Sequence, residues 1–256
     1  ISACLVGSEM CIRDSRHTLP ILANILIRKD GERVSFLSTD IEVQITTHAQ
    51  VGSGNDIAST TVAARKLLDI LRALPDSGDV SLTLANKRMT VQSGKSRFAL
   101  QTLAAEEFPT VAQAEQYNAK VTLPQKTLKH LFNMVHFSMA QQDIRYYLNG
   151  LLLVVDGKNV IAVATDGHRL AFCQVATEQE FPRQEVIIPR KTIIELQRLL
   201  EENDQPVDLE IANNQVKLTF GDIELISKLV EGKFPDYTRV VPCLLYTSPS
   251  PRDRQK

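Results

Sequence analysis

No apolar run in this chain approaches the ~20 residues that a membrane-crossing helix needs. The first residues lack the charged start and long apolar core of a secretory signal. Cysteine is scarce: four are present, at positions 4, 11, 173 and 243, with no CxxC pair and no Cys/His cluster at zinc-ligand spacing. Only Cys173 falls in a patterned apolar segment, where a buried, reduced thiol is expected. A cytoplasmic protein without structural disulfides is the expectation. Neither sign of charge is in excess, with 29 Lys and Arg against 30 Asp and Glu. The whole molecule is therefore not a basic nucleic-acid binder, and any DNA affinity must come from cations segregated onto one face. Catalytic motifs are missing too. The histidines at 17, 48, 130, 136 and 168 contain no HExxH spacing, no Gly-x-Ser-x-Gly elbow occurs, and no phosphate-cradling glycine loop follows a strand. No metal or cofactor is expected.

What is present is an ordinary globular composition, 43% hydrophobic and 23% charged, and a repeat. Leu19-Pro-Ile-Leu-Ala-Asn-Ile-Leu-Ile27 lies 126 residues before Arg145-Tyr-Tyr-Leu-Asn-Gly-Leu-Leu-Leu153. Thr39-Asp40 lies 126 before Thr165-Asp166, Arg65-Lys66 lies 125 before Arg190-Lys191, and Phe108-Pro109 lies 126 before Phe234-Pro235. Four landmarks in one order, at spacings of 125 or 126 residues, mean two copies of one unit. The expected units are 16–115 and 121–242, with the polar stretch 112–120 as linker; both fit the usual domain size.

In the first unit, 21–27 and 34–38 read as strands around Asp30-Gly31, and 41–47 alternates as a half-buried strand should. Residues 65–74 read as a short helix that buries Leu67, Leu68, Leu71 and Leu74. Strands around 80–84, 89–92 and 97–102 follow. In the second unit, 151–155 and 160–163 read as a strand, a tight turn at Asp156-Gly-Lys-Asn159, and a returning strand. A polar corner at Thr165–Arg169 and a third strand from Leu170 come next. Thr122 is the expected N-cap of a helix with Pro124 in its first turn, burying Leu128, Leu131, Phe132 and Val135. A second helix starts at Pro189, with Ile193, Leu196 and Leu200 inward and Lys191, Glu195 and Arg198 outward.

Residues 1–15 and 243–256 resemble nothing in the repeat. Both read as translated adapter or vector sequence flanking an interrupted reading frame, ordinary termini being the alternative. The first unit is then expected to lack its first strand and helix, and to be the weaker half with exposed apolar surface.

Two kinds of residue could carry chemistry. Asp166 and His168 lie two apart on a corner, which admits a catalytic dyad or, more simply, a corner held by hydrogen bonds. Lys126 and Lys129, Arg190 and Lys191, and Arg65, Lys66 and Arg72 sit in or at helices at matching places in the repeat. Such faces are solvated surface or a shared surface for phosphates; contacts there would be to backbone and not to base edges. Tyr146 and Tyr147 could be core aromatics or could project toward nucleic acid.

The motifs Thr18-Leu-Pro-Ile-Leu22, Arg97-Phe-Ala-Leu100, Phe137-Ser-Met-Ala140, Gln142-Asp-Ile-Arg-Tyr-Tyr-Leu-Asn-Gly150, Ala164-Thr-Asp-Gly-His-Arg-Leu170, Pro189-Arg-Lys191, Ser227-Lys-Leu-Val230 and Phe234-Pro-Asp-Tyr237 together resemble the bacterial sliding clamps, the beta subunits of DNA polymerase III. The resemblance runs from about residue 16 to 242. It implies an α+β DNA-clamp fold of repeated domains, each with two helices packed on antiparallel sheets. It also implies a non-enzymatic, ring-forming processivity factor that encircles duplex DNA and tethers the replicative polymerase, the clamp loader and other motif-bearing partners. The family chain has three domains and forms a head-to-tail homodimer; the third domain is absent here, so a closed ring is not expected. By resemblance the DNA side comprises Arg16, Arg72, Gln142, Tyr146, Tyr147, Arg190 and Lys191. A partner-peptide groove comprises Leu148, Thr165, Gly167, His168, Arg169, Leu170, Pro235 and Val240.

Overall fold

The computed structural model describes residues 19–51, 58–75 and 79–241. The expected loss of the first-unit strand and helix, and both tails, lie outside these residues. In the first unit a 3-10 turn, Pro20–Ala23, leads into β1 (Asn24–Asp30), β2 (Arg33–Thr39), β3 (Val43–Gln50) and β4 (Ala58–Ala63). Helix α1 (Ala64–Ala73) and β5 (Ser81–Ala85), β6 (Arg88–Ser93) and β7 (Ser96–Leu103) complete it. The second unit holds β8 (Ala119–Pro124), α2 (Gln125–Val135), β9 (Gly150–Thr165), β10 (Leu170–Pro189) and α3 (Arg190–Leu199). Three further strands close it: β11 (Pro206–Ile211), β12 (Gln215–Phe220) and β13 (Ile223–Lys228).

The repeat survives to the level of strand register. β2 pairs β3 with Thr39 opposite Gln44, and β9 pairs β10 with Thr165 opposite Leu170. Asn24 opposite Ala63 recurs as Gly150 opposite Pro189. Each pair has moved by 126 residues. Gly31 and Gly157 also correspond, at φ +59° and +56°. In the first unit that left-handed glycine turns a hairpin with Asp30 opposite Arg33. In the second, within Gly150–Thr165, it turns the same kind of hairpin and brings Leu152 into one cluster with Val163, the strand, turn and returning strand expected around Asp156–Asn159.

Each sheet is covered on two faces. On one, α1 buries Leu67, Leu68 and Leu71 against Ile25, Phe36 and Val62, and α2 and α3 bury Leu131, Phe132 and Ile193 against Leu151, Leu153 and Ala162. On the other, Phe108 caps Leu26 and Leu37, and Phe234 caps Leu152 and Val163, again 126 residues on. Burying a side chain of this size stabilises by roughly 1.5–3 kcal/mol.

The units are joined by backbone. β13 pairs antiparallel with β3, Leu225 opposite Ile45, so eleven strands run as one sheet across both units. This corrects the half-buried reading of 41–47: Val43 to Thr47 are all buried, because Val43 and Ile45 join the second unit's core while, on the other face, Gln44 accepts from Val111 N (2.8 Å) of the segment after β7. Two helix details also differ. Thr122 belongs to β8 and donates to Asp208 (2.7 Å), while Pro124 itself is the N-cap of α2, with no side-chain bond. Glu195 is buried at 3% exposure, drawn in where Arg198 reaches one of its oxygens at 3.5 Å. No helix among the described residues is long and apolar enough to cross a membrane.

Candidate peptide cleft and DNA-facing loop

The corner after β9 is built by two short side chains. Thr165 Oγ1 donates to the Arg169 carbonyl (2.7 Å) and accepts from Gly167 N (3.1 Å). Asp166 Oδ1 accepts from the backbone N–H groups of His168 (2.9 Å) and Arg169 (3.0 Å), and Oδ2 from Arg169 Nε (3.0 Å). Those donors hold the Asp166 carboxyl down at about pKa 2, the two backbone N–H groups contributing most. The hydrogen-bonded corner is therefore the arrangement present. Both oxygens of Asp166 are occupied in holding the chain.

Gly167 is at φ +89°, and a Cβ there would lie 3.2 Å from both terminal nitrogens of Arg145. Glycine is needed twice over, for the turn and for the guanidinium lying against it. Arg145 is fixed by Asp143 through Nε (3.0 Å) and Nη2 (2.8 Å) and reaches the Asp166 carbonyl (3.4 Å). The same contacts push Asp143 down to about pKa 2. Asn149 ties the loop shut, donating to the Asp143 carbonyl (2.8 Å) and accepting from Asp143 N (2.9 Å).

Between this corner and the Phe234–Val240 segment lies a cleft of about 260 Å³. All eight residues assigned to the groove line it: Leu148, Thr165, Gly167, His168, Arg169, Leu170, Pro235 and Val240. Arg145, Phe234, Asp236 and Tyr237, which sequence reasoning missed, line it as well. Their signal was adjacency: Arg145 precedes the tyrosine pair, and the other three flank Pro235. Leu148 and Phe234 form buried walls, at 2% and 7% exposure, while Val240 stands 65% exposed at the mouth. Arg169 also stands over the Phe137 ring, 6.0 Å from its centroid, beside the cleft. An apolar trough with cationic edges suits a short segment carrying aliphatic or aromatic anchors.

The residues assigned to DNA divide into groups. Gln142, Tyr146 and Tyr147 share the loop that Asn149 closes; Gln142 is exposed at φ +54°, and the tyrosine rings meet edge to face at 6.0 Å. Tyr147 also lines the cleft, so that loop borders it. Arg190 joins them, with Nη1 donating to the Met139 carbonyl (3.3 Å) at the root of the loop. Lys191, next to it, forms an ion pair with Asp40 of the first unit. Arg72 is on α1 in the first unit, and Arg16 lies outside the described residues.

Two family models match the chain: the N-terminal domain of the DNA polymerase III beta subunit over residues 10–112, and its central domain over 122–236. The beta sliding clamp of Escherichia coli strain K12 is 44% identical over 227 residues, 89% of this chain and 62% of its own length. That of Haemophilus influenzae is 42% identical over 235 residues, 91% of this chain and 64% of its own. Among solved structures, the sliding clamp of Pseudomonas aeruginosa bound to griselimycin has a TM-score of 0.88 and 40% identity, covering 94% of this chain and 65% of that one. A Caulobacter crescentus clamp has a TM-score of 0.87 and 36% identity, covering 94% and 66%. This chain thus spans less than two thirds of the length of these curated relatives. With two successive domain models matched in order, one across each structural unit, the chain belongs to the DNA polymerase III beta-subunit family, the beta sliding clamps.

Proposed function

We propose that this chain provides two units of a cytoplasmic sliding clamp, a non-catalytic processivity factor for the bacterial replicative polymerase. It takes duplex DNA along the side carrying Gln142, Tyr146, Tyr147 and Arg190, without reading sequence, because cations and tyrosines there meet phosphates and not base edges. Lys191 serves this side from within its pair with Asp40, and Arg72 and Arg16 extend it in the first unit. The polymerase, the clamp loader and other motif-bearing proteins dock a short peptide into the cleft. One observation carries the reading: eight residues chosen by resemblance converge on a single apolar trough, although they come from three separate stretches of chain. A hydrolase using Asp166 and His168 is disfavoured, since the corner's backbone already claims the carboxylate.

Fluorescence anisotropy with a labelled short peptide bearing two aliphatic or aromatic anchors tests it. Binding is expected, weakened roughly tenfold by His168→Ala or Val240→Asp, as for anchor contacts at an interface. No binding to the folded chain, or binding indifferent to both substitutions, overturns the assignment.

A further inference from the structure

The corner that lines the cleft in the second unit has a counterpart in the first, and there it faces a different hollow. Ile41 stands where Gly167 stands and Pro109 where Pro235 stands, each 126 residues earlier. With Leu229 and Val230 of the second unit they enclose a cavity of about 510 Å³ between the two units. Hydrogen bonds hold its walls. Val111 N donates to Gln44 Oε1 (2.8 Å), and Lys228 N to the Glu42 carbonyl (2.9 Å). Leu229 N donates to the Asn214 carbonyl (2.9 Å) and Val230 N to the Ile187 carbonyl (2.9 Å). The cavity is therefore formed before anything enters it, and a ligand need not organise it.

Packing alone does not account for what lines this cavity. Ile41 holds φ +80°, a costly conformation for a β-branched residue, yet its side chain is 42% exposed in the wall, so burial does not offset the strain. Val111, Leu229 and Val230 are only half-buried around it. Lys228, seated beside Ile41 by its bond to Glu42, is exposed and forms no ion pair among the described residues. Strain kept at a residue that shows apolar surface to a preformed hollow marks a ligand contact.

We propose that this cavity is a second peptide site, distinct from the cleft at Gly167. It takes an extended segment of a partner protein whose aliphatic or aromatic side chain packs on Ile41 and whose next residue is an acid paired with Lys228. A cavity of this size takes side chains of an extended segment and no larger element. Glu231 lines the same wall three residues beyond Lys228, so a second acid at that end is opposed. The segment thus carries its negative charge at the Lys228 end, which fixes its direction. The two sites recognise their anchors differently. At Gly167 the corner offers backbone with the Arg145 guanidinium lying against it, whereas here the Ile41 side chain is itself the contact.

The test titrates a peptide carrying a leucine-phenylalanine pair followed by aspartate into the isotope-labelled full chain and follows amide chemical shifts. Ile41, Val111, Leu229 and Val230 should move together and saturate. Gly167 and His168 report the other cleft in the same spectra, so failure at one place is read apart from failure at the other. Ile41→Gly should weaken binding at Val111, Leu229 and Val230 roughly tenfold, as for loss of an anchor contact. It should do so without lowering stability in urea, which separates a lost anchor from a lost fold; if it is destabilised, Lys228→Glu decides. That variant changes an exposed side chain, and should lose the aspartate peptide and take the same peptide with lysine in its place. Three results overturn the proposal: no movement at Ile41, Val111, Leu229 and Val230; binding there unchanged by Ile41→Gly; or a Lys228→Glu chain indifferent to the peptide's charge.

Discussion

Ile41 and Gly167 occupy the same position in two copies of one corner, at φ +80° and +89°. The bonds around them match: Thr39 Oγ1 donates to the Val43 carbonyl (3.0 Å) and accepts from Ile41 N (3.1 Å), while Asp40 Oδ1 accepts from Glu42 N (3.1 Å) and Val43 N (2.7 Å). One copy has glycine where the backbone asks for it. The other holds a β-branched residue in a conformation such residues rarely adopt.

Relieving that strain should help. Ile41→Gly removes roughly 1–3 kcal/mol of backbone strain and adds about 0.5–1 kcal/mol of unfolded-state freedom. A net gain of about 1 kcal/mol in the first unit's urea unfolding is expected. Gly167→Ala should lose a similar amount or more, because its Cβ also meets the Arg145 guanidinium at 3.2 Å. If Ile41→Gly is the less stable protein, the shared geometry carries no strain.

The Lys191–Asp40 pair ties α3 to the first unit's corner, and the Asp40 side chain is only 6% exposed. Lys191→Ala should cost about 1–3 kcal/mol, largely by leaving a buried carboxylate without its cation. Asp40→Asn in the same chain should recover part of that. A double-mutant cycle reads the coupling; a value near zero would reassign Lys191 to the solvent.

Acid should loosen the cleft before it unfolds the sheets. Asp143 and Asp166 are both held at about pKa 2 in the folded chain, from a starting value of 3.8. Their stabilisation is complete above the unfolded value and drains away as pH falls from about 4 toward 2. Amide chemical shifts of Gly167, His168 and Arg169 followed from pH 5 to 2 should titrate in that window, and Asp166→Asn should flatten them. A midpoint near 4 for these amides would mean the corner bonds are absent in solution.

The two units should differ in local stability. Leu84 is 43% exposed, while Ile211, in the same place of the second unit, is fully buried in the core that α2 covers. Phe98 and Leu225 differ likewise. Hydrogen exchange should therefore be faster in β5, β6 and β7 than in β11, β12 and β13, by opening to the less covered sheet. Equal protection across both sets contradicts this.

Much of this architecture was legible because the repeat is written in turn and corner residues. Thr39-Asp40 and Thr165-Asp166 announce themselves as polar pairs between apolar runs, and the leucine stripe of α1 has a period that only a helix explains. What escaped was whatever lies between units. Val43 to Thr47 alternate in sequence, yet both faces are covered, one by the second unit's core and the other by the segment that brings Val111 N to Gln44, and neither leaves a trace in local pattern. Thr122 was misread because a threonine two before a proline imitates a cap, whereas its partner Asp208 is far along the chain. Glu195 was misread because charge at a helix position says nothing of the arginine that can fold over it. The cleft's residue types were visible; that Asp236 and Tyr237 share it with Arg145 needed the chain folded.

Because β3 and β13 share a ladder, the angle between neighbouring units is a property of backbone chirality and not of side-chain fit. Adjacent strands rotate by a fixed hand and a narrow range of degrees whatever residues they carry. The surfaces around the junction are thus free to drift in sequence while the rotation between β3 and β13 stays within that range. The cleft beside β9 and the loop that Asn149 closes can change in residue type on this frame without bending it.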